Sequence, residues 1–215
     1  MKVAVGILEA LGQKYGTDKR AADNHHAYLD IYERYFANIR QSAETVAEIG
    51  VFHGASLRMW AEYFAKATIC GFDLTAPPAA LDNTRIRIVL GNQSKREDLE
   101  RLIDVTGVPD VIIDDGGHAM EQQQVSLGFL FRFLKPGGLY VIEDLSTSYT
   151  QGPQEWNPTD TQWTTLVLLQ ALQAGQVFGS EFIALDEMTF LLDATESVVI
   201  EKGAHSEIAF VRKRT

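Results

Sequence analysis

A chain of 215 residues is long enough to bury one sizeable hydrophobic core and too short for two full domains. Its apolar fraction of 46% and charged fraction of 22% are ordinary for a globular protein. The net charge of −10 argues against binding to nucleic acid or to an anionic membrane, and leaves small neutral or cationic ligands and divalent metals as natural partners.

The sequence gives no sign of export or of membrane insertion. No apolar stretch approaches the roughly 20 residues that span a bilayer, and Glu9 interrupts the short apolar run near the N-terminus. The single cysteine, Cys70, lies inside an apolar run, which indicates a buried thiol rather than a ligand or nucleophile. We therefore expect a cytoplasmic protein, with homo-oligomer formation left open.

The chain is mainly helical in pattern before residue 44, and from there strand-like and helix-like segments alternate. Strict alternation predicts a parallel sheet covered by helices on both faces. The predicted strands are residues 45–51, 68–74, 85–90, 110–114 and 139–143. The predicted helices are residues 56–64, with Ser56 as the N-cap, then 97–103, 119–134 and 160–174.

The C-terminal stretch has a different pattern. Short β-like runs joined by turn residues predict antiparallel closure of one sheet edge, and they are residues 182–192, 197–201 and 207–212. We predict one α/β domain over residues 1–215, in which a helical lid, residues 1–43, precedes a Rossmann-like core with a mainly parallel seven-stranded sheet. Pro/Gly clusters at residues 75–80 and 151–158 follow predicted strand ends and are expected to be loops over the site.

Two neighbouring apolar runs end abruptly in acids. Val111–Ile113 is followed by Asp114 and Asp115, and Leu139–Ile142 is followed by Glu143 and Asp144. The carboxyl ends of parallel strands meet at one edge of a sheet, where ligands bind in open α/β folds. Asp115, Glu143 and Asp144 therefore predict a metal site, and His118 three residues beyond Asp115 predicts a base beside it.

The same acids have a structural alternative. Asp114 and Asp115 could cap the helix predicted to begin near Ala119, since acids at strand ends are often caps. Successive strand side chains point to opposite faces, so only one of the two faces the cleft easily. We take Asp115 as the metal ligand and count Asp114 with the cofactor end of the site.

Two glycines close the first predicted strand. The segment Glu48–Gly54 has the spacing G-x-x-x-G after an acid, whereas a dinucleotide fingerprint needs G-x-G-x-x-G. Gly50 and Gly54 permit a tight turn, and the helix start near Ser56 offers free N–H groups. The pattern suits S-adenosylmethionine, which has no pyrophosphate, although a glycine pair can also simply mark a strand–helix turn.

The next two predicted strands end in candidate nucleoside contacts. Asp73, followed by Leu74, is placed to accept hydrogen bonds from both ribose hydroxyls, and its alternative role is a turn or helix cap. Asn92 or Gln93, after the third strand, could address the adenine or the ribose, although Gly-Asn is also a common turn dipeptide.

The chain resembles the metal-dependent sugar O-methyltransferases of macrolide biosynthesis, which include the macrocin and mycinamicin methyltransferases. The resemblance covers about residues 16–149. It is carried by Gly16-Thr-Asp-Lys19, His25-His26, Glu48-Ile-Gly-Val51, Gly54-Ala-Ser-Leu-Arg-Met-Trp60, Ile112-Ile-Asp-Asp-Gly-Gly-His118 and Lys135-Pro-Gly-Gly-Leu-Tyr-Val-Ile-Glu-Asp144.

The resemblance implies a class I methyltransferase fold with S-adenosylmethionine and magnesium as cofactors. By motif, it implies that Asp115, Glu143 and Asp144 hold the metal and that His118 is the general base. The family commonly has Ser where Gly117 stands, and Gly-Asp where Gly91-Asn92 stands. The implied reaction is methylation of a hydroxyl on a sugar-bearing or polyhydroxylated small molecule, in natural-product biosynthesis.

Other functions stay open at this point. A catechol-type O-methyltransferase would use the metal in the same way to bind an aromatic diol. Trp156 or Trp163 near the mouth of the site would favour this alternative. A non-catalytic binding subunit with the same fold has no need of the converging acids, and a metal-dependent hydrolase leaves Asp73 without a role. His25 and His26 could belong to a lid or to a solvated loop, and Tyr149, with the two tryptophans, could stack on an acceptor or simply pack.

Overall fold

The computed structural model describes residues 6–22, 25–78, 81, 83–149 and 154–215. Two predicted loops fall partly outside this set, because residues 79 and 80 of the first and residues 151–153 of the second are not among the described residues. Residues 1–5, 23 and 24 of the predicted lid also lie outside it.

Seven strands and seven α-helices make up the described fold. The strands are β1 Thr45–Ile49, β2 Thr68–Asp73, β3 Ile86–Leu90, β4 Val111–Asp114, β5 Leu139–Ile142, β6 Thr195–Lys202 and β7 Glu207–Lys213. The helices are α1 Ile7–Tyr15, α2 Leu29–Phe36, α3 Ala55–Tyr63, α4 Arg96–Thr106, α5 Met120–Leu130, α6 Thr165–Gln173 and α7 Leu185–Ala194.

The strands form one sheet in the order β3-β2-β1-β4-β5-β7-β6. Strands β1 to β5 are mutually parallel, and β7 runs antiparallel to both β5 and β6. The predicted fold class, with its antiparallel C-terminal edge, is therefore confirmed. The strand order reverses between β1 and β4, so the loops at their carboxyl ends diverge and open a crevice.

Each face of the sheet is covered by its own hydrophobic core. Successive residues of β4 point to opposite faces, and accordingly Ile112 packs in one core and Ile113 in the other. The core that holds Ile113 also holds buried side chains of α1, α2 and α3, such as Tyr32 and Trp60. The N-terminal helices are therefore packed against the sheet, next to the segment from which Lys19 and His26 reach the crevice.

Residues 182–192 were predicted to be β-like, and this prediction was wrong. Residues 185–194 form helix α7 instead, and its first turn explains why. Glu187 accepts a hydrogen bond from the backbone N–H of Ala184 and is also bound by Arg96, so the helix start is capped and tied to α4. The apolar spacing of this segment did not reveal these two contacts.

Two predicted helix starts also differ from the structure. Helix α3 begins at Ala55 after Gly54 in a left-handed conformation, and Ser56 donates a hydrogen bond to Glu48 rather than capping the helix. The helix predicted over 160–174 begins at Thr165, because the hydroxyl of Thr164 accepts from the N–H of Val167.

Cys70 is fully buried, as expected, and burial raises the pKa of its thiol to about 11. Among the helices of the described residues, none has the length and apolar character needed to cross a bilayer.

Candidate active site

A cavity of about 680 Å³ lies at the carboxyl ends of the parallel strands. Most of the residues predicted from the sequence to form the site line this cavity. They are Gly50, Ser56, Asp73, Leu74, Asn92, Gln93, Asp115, His118 and Asp144. Four others, Glu48, Gly54, Asp114 and Glu143, are adjacent to the lining without being part of it.

Gly50 fixes the position of the loop after β1. Its φ is 91°, a backbone conformation that favours glycine, and an added Cβ would lie 1.9 Å from the carbonyl oxygen of Asp115. Both the backbone conformation and the lack of space therefore require glycine at this position. The backbone N–H of Asp115 also donates to the carbonyl of Ile49 at 2.9 Å. The β1 and β4 loops are thus locked together at the floor of the crevice.

Asp73 connects the ends of β1 and β2. Its Oδ2 accepts the N–H groups of Val51 at 2.7 Å and Phe52 at 3.2 Å, and its Oδ1 accepts the N–H of Thr75 at 3.2 Å. The side chain therefore organises both loops and also faces the cavity. Its two predicted roles, turn former and nucleoside contact, are compatible in this position.

Gln93 and Asn92 have different surroundings. The Gln93 amide is used internally, since Nε2 donates to Asp114 at 3.1 Å and Oε1 accepts from the N–H of Gly117 at 2.8 Å. It thereby holds the loop that leads to His118. The Asn92 side chain accepts the N–H of Ser94 at 2.9 Å, which leaves its amide nitrogen for a ligand in the cavity.

Glu48 and Asp114 are buried supports beneath the cavity. Glu48 accepts hydrogen bonds from the Ser56 hydroxyl at 2.6 Å and from the Trp60 indole at 3.1 Å. Burial raises the pKa of Glu48 to about 7, although the positive charge of Lys19 opposes this shift. Asp114 is bound by Ser126 and Gln93, and burial raises its pKa to about 6. Each acid orders a neighbouring element rather than facing a ligand.

Asp115, His118 and Asp144 form the group that could hold a cation. Each offers one ligand atom, and these atoms all lie within 4.8 Å of one another. His118 and Asp144 have positive φ values of 59° and 56°, a strained backbone conformation that is often found at functional sites. Two of the three predicted metal acids are therefore together with the predicted base.

Asp144 has an unusually acidic carboxyl group. Burial alone would raise its pKa, but the neighbouring imidazoles of His26 and His118 outweigh burial and lower the pKa to about 2. Nδ1 of His26 lies 3.1 Å from Oδ1, and Nε2 of His118 lies 3.6 Å from Oδ2. The carboxylate is thus ionised at any working pH, as a ligand of a hard cation must be.

Glu143, the third predicted metal acid, is almost fully buried next to this group. Its Oε1 accepts hydrogen bonds from Lys19, at 2.7 Å, and from the Tyr32 hydroxyl. Burial and the neighbouring Asp115 raise its pKa, and Lys19 opposes them. The structure therefore leaves Glu143 at the edge of the candidate metal site, held by residues from the N-terminal segment.

Lys19, Tyr28 and Tyr32 were not assigned a role from the sequence. Lys19 is only 1% exposed and contacts Asp115, Glu143 and, at 3.7 Å, Glu48. The motif Gly16-Thr-Asp-Lys19 is part of the family resemblance and was the available signal for it. Tyr28 and Tyr32 are four residues apart and share one helix face, which is the signal that could have revealed them.

The three aromatic candidates lie outside the cavity lining. Tyr149 donates to Glu207 at 2.5 Å, and the Trp163 ring packs against Gly179. The backbone carbonyl of Trp156 accepts a hydrogen bond from the backbone N–H of Met120. None of these three aromatic residues lines the cavity, and Tyr149 and Trp163 are exposed, so the catechol alternative loses its support. Of the two histidines, His26 lines the cavity, which agrees with a lid.

No protein-family model matches the chain. Among curated proteins, the chain is 35% identical over 214 residues to the 8-demethyl-8-α-L-rhamnosyl tetracenomycin-C 2′-O-methyltransferase of Streptomyces olivaceus, covering 96% of this chain and 54% of that protein. It is 36% identical over 173 residues to the mycinamicin VI 2″-O-methyltransferase of Micromonospora griseorubida, covering 77% of this chain and 43% of that protein.

A solved structure agrees with both relatives. The MycE methyltransferase from the mycinamycin biosynthetic pathway, in complex with Mg, SAH and mycinamycin VI, superposes with a TM-score of 0.79 at 31% identity, covering 98% of this chain and 55% of that chain. The chain is a homologue of the sugar O-methyltransferases. The resemblance read from the sequence and the class I methyltransferase fold are confirmed.

This sugar O-methyltransferase homologue spans about half the length of the curated relatives and of the solved structure that it matches.

Proposed function

We propose that the protein is an S-adenosylmethionine-dependent, Mg²⁺-dependent O-methyltransferase that methylates a hydroxyl of a sugar-bearing small molecule in natural-product biosynthesis. The observation that carries the proposal is that one cavity is lined both by Asp73 and the Gly50 loop and by the cluster Asp115, His118 and Asp144. A nucleoside end and an acid–imidazole end in one cavity suit transfer between a cofactor and a hydroxyl. The names of the homologues agree with this reaction.

The donor set suits magnesium. Mg²⁺ prefers carboxylate oxygens and keeps several waters, so Asp115 and Asp144, with Glu143 beside them, would hold it. The imidazole of His118 is a poor ligand for this ion, which leaves it for proton transfer. Bound at these acids, Mg²⁺ would favour ionisation of the acceptor hydroxyl and fix its direction.

The protein's own groups complete the reaction. The acceptor oxygen attacks the methyl carbon, the carbon–sulfur bond breaks, and S-adenosylhomocysteine leaves as a neutral thioether. The hydroxyl proton goes to His118, whose Nε2 faces Asp144 and whose Nδ1 has no hydrogen-bond partner among the described residues. Asp144, ionised beside the ring, stabilises the imidazolium that results.

The test uses S-adenosylmethionine with a labelled methyl group and a panel of acceptors, namely a rhamnosyl polyketide, a macrolide with a deoxysugar, and a catechol. We expect label on a sugar hydroxyl, loss of transfer with EDTA and its return with Mg²⁺. Preferential labelling of the catechol would favour the aromatic-diol alternative. Binding of S-adenosylhomocysteine without transfer to any acceptor would favour a binding subunit, and transfer that EDTA leaves unchanged would remove the metal.

His118→Asn is the matching variant, because asparagine tolerates the left-handed backbone at this position. We expect turnover to fall by about 10²-fold or more, which is the usual contribution of a general base. Affinity for S-adenosylhomocysteine, measured by calorimetry, should stay unchanged. Full activity in this variant would remove His118 from the mechanism.

A further inference from the structure

Each acid of the candidate metal site is bound by a side chain from residues 19–32. Lys19 contacts Asp115 and Glu143, Tyr32 donates to Glu143, and Tyr28 donates to Asp144 at 2.8 Å. These contacts join residues about a hundred positions apart in the sequence, from a different part of the fold than the strand ends that carry the acids. We call Lys19, Tyr28 and Tyr32 the N-terminal donor set.

We infer that the N-terminal donor set positions the metal-binding acids. The inference rests on the proposed function. It adds to that function three residues that orient the metal ligands without holding the ion themselves. A carboxylate ligand has two oxygens and rotates freely unless one of them is tied down, and an outer hydrogen bond fixes the direction of the other. Tyr28 and Tyr32 tie Oδ1 of Asp144 and Oε1 of Glu143, each from a buried hydroxyl.

Packing makes the two tyrosines suitable for this role. Both rings are fully buried, and Tyr32 is held edge-on against Trp60 and Phe210, with ring centroids 5.1 and 5.6 Å apart. Their hydroxyls therefore cannot follow a moving carboxylate. Burial, followed by the neighbouring acids, raises the pKa of each hydroxyl, so both act as neutral donors.

The two tyrosines also allow a clean experiment. Tyr28→Phe and Tyr32→Phe each remove one hydroxyl and leave the charge of the cluster unchanged. A change at Lys19 would alter both orientation and electrostatic attraction. Tyr35→Phe is the matched control, because Tyr35 lies on the same helix and its hydroxyl donates to Glu201, outside the cavity, at 2.9 Å.

The probe is Mn²⁺, with the free ion counted by electron paramagnetic resonance in the presence of S-adenosylhomocysteine. We expect Tyr28→Phe and Tyr32→Phe to weaken Mn²⁺ binding by about 10-fold or more, the range known for outer hydrogen bonds to metal ligands. Tyr35→Phe should bind as the wild type does. Affinity for S-adenosylhomocysteine without metal, measured by calorimetry, should be the same in all four proteins.

The outcomes separate the two proposals. If the wild type does not bind Mn²⁺, the metal in the proposed function fails, and the positioning role fails with it. If the wild type binds Mn²⁺ and both variants bind it equally well, only the positioning role is overturned. A lower melting temperature with unchanged Mn²⁺ affinity has the same meaning, because it reduces the tyrosines to structural residues.

Discussion

At the scale of single residues, Asp73 combines a structural and a binding position. Its carboxylate accepts three backbone N–H groups from the loops around it and still lines the cavity. A carboxylate fixed in this way can accept hydrogen bonds from a ribose without further loss of side-chain freedom. Removal of its charge should therefore affect ligand affinity more than it affects folding.

Asp73→Asn tests this expectation. The amide keeps one acceptor oxygen but loses the charge and one of the two acceptor groups, so we expect S-adenosylhomocysteine to bind at least about 10-fold more weakly by calorimetry. Asp110→Asn is the control, since Asp110 also accepts two backbone N–H groups, from Glu44 and Thr45 at the opposite end of β1. Equal affinity in wild type and Asp73→Asn would remove the ribose assignment.

The sequence predicted the acids of the site but not the side chains that bind them. Asp115 and Asp144 lie within two residues of the ends of apolar strands, so a local pattern and the geometry of parallel strands were enough to bring them together. Lys19 meets Glu143 across 124 positions in the chain, and no local pattern encodes such a contact. Only the family motif that contains Lys19 indicated its importance.

At the scale of elements, helix α7 shows where the periodicity failed. Residues 182–192 carry enough β-branched and aromatic character to resemble a strand, yet the segment is helical because Glu187 caps its start and binds Arg96. The buried β1, β4 and β5, in contrast, were predicted within two residues at either end, because fully apolar runs bounded by turns have few other interpretations.

Glu187→Ala should therefore destabilise the protein by roughly 2 kcal/mol, because it removes the cap and leaves Arg96 without its nearly buried partner. Asp186→Ala is the matched control one residue earlier in the same turn. Its pair with Arg132 is largely exposed, so a much smaller change in the free energy of unfolding is expected. Urea unfolding of both variants measures the difference, and similar values for the two would rule out the anchoring role of Glu187.

At the scale of the whole molecule, the formation of the crevice buries two acidic side chains. The strand order that opens it also brings Glu48 and Asp114 into the interior at the ends of β1 and β4, where both are fully buried. Burial raises the pKa of each carboxyl group, because the charged form loses its hydration. The contribution of these two groups to stability should then depend on pH in a direction opposite to that of ordinary paired acids.

Glu48→Gln measures this dependence. The pKa of Glu48 is about 7 in the folded protein and near 4.5 as a free group, so the folded state binds the extra proton between these values. Its contribution to stability is full below pH 4.5 and is lost as pH rises to about 7. The free energy of unfolding of the wild type, relative to Glu48→Gln, should therefore fall by roughly 3 kcal/mol over that interval.

Urea unfolding at several pH values between 5 and 8 tests the prediction. Glu62→Gln provides the control, because Glu62 is exposed and its hydrogen bond from Lys14 lowers its pKa, so its titration lies below this range. The wild type and Glu62→Gln should remain parallel, while the wild type loses stability relative to Glu48→Gln as the pH rises. If the Glu48→Gln curve also runs parallel to the wild type, Glu48 is ionised throughout, and Lys19 outweighs burial at the floor of the crevice.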